Sequence, residues 1–142
     1  MKTLNIDQQA LKVMQKHAEA TYPNECVGFF YGKEDEQTRY IELAVEVPNS
    51  KEGDQRRRFE VDPRDYMKAE RYALENNTTL LGVYHSHPEH PAIPSEHDLK
   101  VAQPFFSYII ISVKGGKSVK TRSWQLDNNQ AFAEENILQL QA

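Results

Sequence analysis

Apolar side chains recur at helical spacing through Ala10, Leu11, Met14 and Ala18, and the same stripe carries His17. An amphipathic helix is therefore expected over residues 6–20, with Asp7 near its start and Pro23 and Asn24 beyond its end. The pattern then changes. CVGFFYG (26–32) and TRYIELAVEV (38–47), separated by the charged turn KEDEQ, predict two strands paired as a hairpin. PNSKEGDQRRR (48–58) brings turn residues and charge with almost no apolar anchor, so an exposed loop is expected there. FEV (59–61) reads as a short strand.

A second helix follows, because Asp62 can cap it while Pro63 occupies the first turn, where a missing N–H costs nothing. Tyr66, Ala69 and Ala73 mark its buried face, and Asn76 and Asn77 end it. LLGVYHSH (80–87) opens as a nearly continuous apolar run, the pattern of a central strand covered on both faces, and closes in histidines. A loop with Pro88, Pro91 and Pro94 leads to Ser95, a cap for a short helix through about Gln103. SYIIISV (107–113) and SVKTRSWQL (118–126) predict a strand pair joined across Gly115 and Gly116. The tail, 129–142, suits a last helix or a last strand equally. The order is mixed α and β around one sheet, and with no repeat or linker, residues 1–142 are expected to form one domain.

Composition narrows the function. A net charge of −4 and a pI near 5.7 argue against a general nucleic-acid binder, since phosphate affinity comes mainly from Lys and Arg. No apolar run approaches the roughly 18 residues that span a bilayer, and MKTLNIDQQALKVM lacks the apolar core of a signal peptide; a cytoplasmic protein is expected. The single cysteine, Cys26, can form neither an internal disulfide nor a cysteine-rich zinc site. Any metal here needs histidine and carboxylate.

HSHPEHPAIPSEHD (85–98) supplies both. His85 and His87 stand two apart at the end of a strand, where side chains at i and i+2 project from one face and can converge on one ion. The proline loop returns the chain to a helix start, where Asp98 can add an oxygen. Two imidazoles and one carboxylate leave a fourth tetrahedral position for water, which distinguishes a catalytic zinc site from a closed structural one. Taken singly, each residue has a plainer role: a strand-end histidine is usually a partly buried polar group, and Ser95 with Asp98 makes an ordinary helix cap. The joint pattern H-x-H-x7-S-x-x-D arises by chance in on the order of four in ten thousand chains with these residue counts, which favours the metal.

That pattern resembles the signature of the JAMM, or MPN+, zinc metalloproteases. PNECVGFFYG (23–32), RFEVDPRDYMKAER (58–71), HSHPEHPAIPSEHD, SYIIISV and SW are similar, in order and spacing, to the prokaryotic branch. The resemblance covers nearly the whole chain and is weakest in 48–58 and after Leu126. It implies a mixed α/β fold, a single curved mixed sheet flanked by helices in the cytidine-deaminase-like arrangement, and one Zn2+ per chain. It assigns His85, His87 and Asp98 to the metal, Glu25 to proton transfer and Ser95 to the oxyanion. Spacing alone leaves Glu60, Glu89 and Glu96 open beside Glu25. The implied activity is hydrolysis of peptide or isopeptide bonds at the carboxyl-terminal tail, after Gly-Gly, of a ubiquitin-like sulfur-carrier protein.

Several residues invite other readings. Cys26 beside Glu25 suggests a thiol nucleophile, but a cysteine opening an apolar strand is usually a small buried side chain. Arg56, Arg57 and Arg58 read as a solvated run in preference to a substrate contact, His90 and His97 as exposed loop residues, and Trp124 as core packing. Two further classes compete: a non-catalytic scaffold, disfavoured because ligands and base are all present, and a nucleobase deaminase, excluded because P-C-x-x-C needs a second cysteine. A general small zinc peptidase is a narrower alternative.

Overall fold

The structure, a computed structural model, describes residues 2–139. A short strand the sequence pattern had not disclosed, β1 (Thr3–Ile6), precedes the first helix, α1 (Gln8–Thr21), which Asp7 caps by accepting from the N–H groups of Gln9 and Ala10. Strands β2 (Val27–Glu34) and β3 (Thr38–Val47) form the expected antiparallel hairpin. After the loop come α2 (Pro63–Glu75), capped by Asp62, and β4 (Thr79–Pro88), followed by α3 (Glu96–Val101), two residues shorter than expected. Strands β5 (Ser107–Lys114) and β6 (Lys117–Leu126) turn through Gly115 and Gly116, both at positive φ. The tail resolves as strands β7 (Phe132–Glu135) and β8 (Ile137–Gln139); residues 140–142 lie outside the described part.

Residues 59–61 are not a strand. Phe59 is buried while Glu60 joins the loop through its carbonyl, which accepts from the N–H and hydroxyl of Ser50; the apolar pattern there reflects a side chain plugged into the core.

The eight strands make one sheet in the order β7-β6-β5-β4-β2-β3-β1-β8, with parallel pairing at β4–β5, β1–β3 and β1–β8 and antiparallel pairing elsewhere. Leu4, Ala10, Met14, Ala18, Leu81, Tyr84 and Ile111 pack on the α1 face; Phe29, Ala69, Ala73, Val83, Phe106 and Tyr108 pack on the α2 face. Burial on both faces explains why β4 and β5 read as continuous apolar runs. Three inter-strand steps separate β3 from β5, about 14 Å in a flat sheet. The buried Arg39 of β3 nevertheless donates to Ser107 Oγ of β5 at 2.8 Å, and that hydroxyl donates to Glu135 of β7 at 3.0 Å. The sheet therefore curves, helped by bulges beside Tyr31 on both of its neighbours.

Candidate active site

Alternation along β4 turns His85 and His87 to the α2 face, in phase with Val83, and Tyr84 and Ser86 to the other. The β2–β4 register pairs Val27 with His85. It continues past the strand end, since Ser86 N donates to Cys26 O and Cys26 N donates to Ser86 Oγ at 2.8 Å. Antiparallel pairing thus brings Glu25 opposite His87 and onto the same face. Gly28 is needed nearby, because a Cβ there would lie 2.1 Å from the Tyr84 ring.

The proline loop carries Asp98 back onto the histidines. Its Oδ2 stands 3.3 Å from His85 Nε2 and 3.1 Å from His87 Nε2, and the two Nε2 atoms are 3.2 Å apart. Tetrahedral ligands 2.0–2.1 Å from one ion are separated by about 3.3 Å, so this buried triangle has the dimensions of a zinc site's donor set. His87 Nδ1 lies 2.9 Å from the Pro91 carbonyl, which can only accept; the Nδ1–H is therefore the donor and a neutral His87 presents the Nε2 lone pair to the triangle. That lone pair faces a carboxylate oxygen, an arrangement a cation between them would reconcile. The residues fit a metal ion.

Several contacts fix this geometry. Ser95 and Asp98 form a reciprocal cap, Ser95 N donating to Asp98 Oδ2 at 2.9 Å and Asp98 N to Ser95 Oγ at 3.1 Å. The Phe59 ring covers His85, centroids 4.6 Å apart. The loop is pinned by Ser112 Oγ donating to His90 O at 2.5 Å, and by Trp124 Nε1 donating to Ala92 O at 3.0 Å. Trp124, expected as core packing, is half-buried and ties β6 to the site.

Burial governs the electrostatics. It pushes the Glu25 carboxyl up to about 8, a rise that His87 opposes and Asp98 reinforces. His85 is held below the usual imidazole range by burial. Burial also works against charge on His87, but Asp98 outweighs it and raises that imidazole. Burial disfavours the Asp98 anion too, yet His85, His87 and the Ser95 N–H hold it far below the ordinary carboxylate range. Cys26 is a buried thiol pushed up to about 12, the inert side chain expected of a strand opening.

In front of the triangle opens a cavity of about 570 Å3 lined by Glu25, Arg57, His87, His90, Pro91, Ile93 and Ser95. Of the sequence candidates, His85, His87 and Asp98 meet, and Glu25 and Ser95 stand at the cavity beside them. Arg57, read from the sequence as a solvated residue, is exposed but lines this cavity. The loop reaches the site because Glu25 N donates to Gln55 O at 2.7 Å and Asn49 Nδ2 donates to both Glu25 O and Arg58 O. Asn49 and Gln55 carry no motif, and nothing in the sequence marks them as a latch.

Residues 7–127 match the prokaryotic homologues of the JAB domain. The chain belongs to that family. It is accordingly a JAMM-type hydrolase with the mixed α/β fold of the group. It is 29% identical over 139 residues to the desampylase of Pyrococcus furiosus, an alignment covering 96% of this chain and 90% of the relative. With a probable TtuB-protein conjugate cleaving protease of Thermus thermophilus it shares 30% identity over 112 residues, 79% of this chain and 72% of that one. Solution structures of proteins from Desulfitobacterium hafniense and Salinibacter ruber superpose with TM-scores of 0.82 and 0.72 at 31% and 33% identity. They cover 95% and 99% of this chain, and 91% and 92% of their own. Among the described residues no helix is long and apolar enough to cross a membrane.

Proposed function

We propose that this JAB-family member is a zinc peptidase that hydrolyses the peptide or isopeptide bond after Gly-Gly at the tail of a ubiquitin-like sulfur-carrier protein, in the cytoplasm. The observation that carries the reading is the buried His85–His87–Asp98 triangle, with edges of 3.1–3.3 Å, beside the buried carboxyl of Glu25. The substrate class is supported by the two relatives, one named for removing a modifier and the other for cleaving TtuB–protein conjugates.

Held by His85, His87 and Asp98, a zinc ion would supply Lewis acidity that polarises a carbonyl and brings the pKa of water toward about 7. Glu25 does the proton work. As the carboxylate, the form that a cation held beside it would favour, it accepts a proton from the attacking water, and burial, which raises its affinity for that proton, suits it to deliver the proton to the leaving amine nitrogen. Ser95 Oγ already accepts from Asp98 N, so its own O–H remains to donate to the substrate oxygen that gains charge. A Gly-Gly tail suits a site set deep against β4, because glycine permits close backbone approach.

The test is incubation of zinc-loaded protein with carrier proteins from the same source, extended beyond Gly-Gly, followed by intact mass. Cleavage after the second glycine that is lost in Glu25→Gln is expected. Cleavage of unrelated peptides alone would make the chain a general zinc peptidase, and metal uptake without any cleavage would make it a scaffold.

A further inference from the structure

Beside the cavity that holds Glu25 and His87 lies a second, of about 310 Å3, lined by Tyr22, Pro23, Arg56, Arg57, Pro88, Glu89 and His90. Arg57 and His90 line both, so the two hollows meet at these side chains. We propose that the second cavity is a carboxylate-binding subsite, with the guanidinium of Arg57 as its anchor, that selects substrates carrying a carboxylate close to the scissile bond.

The charges around it support this. The other charged groups at the second cavity are engaged. Glu89 directs Oε2 to the Tyr22 hydroxyl at 3.0 Å and to Gly115 N at 2.6 Å, so the acid is held against the wall. Arg56 turns its Nε to Asp54 Oδ1 at 3.2 Å. Among the described residues, no carboxylate forms an ion pair with Arg57, whose planar fork of donors matches a carboxylate in a bidentate way that lysine cannot. Its place at the junction sets it apart from Ser95: Arg57 lines both cavities, whereas Ser95 lines only the first. The loop is not free to drift, because Gln55 Nε2 donates to Asn49 O and Lys51 O at 3.1 and 2.9 Å while Asn49 is bonded across to Glu25.

The ligand is thus a carboxylate close to the bond that breaks, either the terminal α-carboxylate of a short leaving segment or an acidic side chain near it. This inference rests on the peptidase reading for what occupies the first cavity, but its primary readout is binding, which does not require turnover. The probes are three hexapeptides containing Gly-Gly: one ending Gly-Gly-Ala with a free carboxylate, its carboxamide, and a carboxamide in which glutamate replaces the final alanine. Affinities are measured by calorimetry in the zinc-loaded Glu25→Gln protein, with and without Arg57→Ala and Arg57→Lys.

We expect the free acid to bind about tenfold more tightly than the amide, the scale of a charge-assisted pair, and that margin to vanish in Arg57→Ala and shrink in Arg57→Lys. Recovery of the margin by the glutamate carboxamide would identify a side-chain carboxylate as the source; failure to recover it would identify the terminal one. Equal binding of all three peptides, including no binding of any, overturns the subsite. With the Glu25 protein, KM should rise in Arg57→Ala for the acid only, while an equal loss of kcat on acid and amide would make Arg57 an oxyanion donor and also overturn the proposal. Failure of the peptidase reading shows separately, as no cleavage of any carrier by wild-type protein.

Discussion

Nε2 of His87 stands 3.1 Å from Oδ2 of Asp98, while Nδ1 of the same ring is turned to the Pro91 carbonyl at 2.9 Å. Without a cation, protonating His87 gives the facing Nε2 a hydrogen to donate to Asp98, which matches the upward shift of that imidazole. The metal-free protein is therefore expected to take up one zinc per chain and to gain about 2.7 kcal/mol of stability at a hundredfold excess over Kd. His87→Ala and Asp98→Asn should abolish uptake. Elemental analysis and melting with and without zinc check this, and a protein that melts identically in both conditions would contradict it.

Glu25 gives a pH-dependent signature in the metal-free protein. Burial pushes its carboxyl up to about 8 in the folded chain, against an ordinary value of 4.5, so the folded state is expected to bind the extra proton between those limits. Stability from this group is fully present below about 4.5 and is lost as pH rises through about 8. Glu25→Gln, which cannot ionise, should remove that decline, so the mutant's melting temperature, compared with wild type, should rise between pH 6 and pH 9. In the zinc-loaded enzyme the same change should cost about a hundredfold or more in kcat with zinc retained.

Ser95 serves as helix cap and as proposed donor to the substrate, and the two roles separate on one variant. Ser95→Ala should lower stability by about 1 kcal/mol through the lost cap. If the hydroxyl also meets the reacting oxygen, kcat should fall by about a hundredfold. Ser95→Asp would restore a cap but not a donor, so stability recovering without rate is the decisive outcome.

Trp124 lies outside the H-x-H segment yet bonds to Ala92 inside its loop. Trp124→Phe keeps an aromatic six-membered ring but removes the N–H together with the rest of the indole's five-membered ring, leaving the Ala92 carbonyl without that donor; the expected cost is at least about 1 kcal/mol. Zinc should also leave faster, by up to about tenfold, as for other changes behind a metal ligand. A zinc off-rate measured with a chromogenic chelator, unchanged in the mutant, would confine Trp124 to packing.

The sequence by itself determined the alternation that turns His85 and His87 to one face, the caps at Asp7, Asp62 and Ser95, the glycine turn at Gly115 and Gly116, and the apolar runs that became β4 and β5. Those features are local, set by side-chain period and by which backbone groups lack partners at helix ends. β1 was hidden because four residues beside a stronger helical stripe carry too little pattern, and Phe59 passed for part of a strand because burial alone makes a residue look like one. What only the tertiary structure decided was register. Glu25 could be separated from Glu60, Glu89 and Glu96 only by resemblance until the β2–β4 pairing brought it opposite His87. Arg57 and Trp124 likewise reach the site through hydrogen bonds that join segments distant in sequence. Such contacts depend on how the strands order and curve, and that arises from packing summed over both faces of the sheet, which no short window of residues encodes.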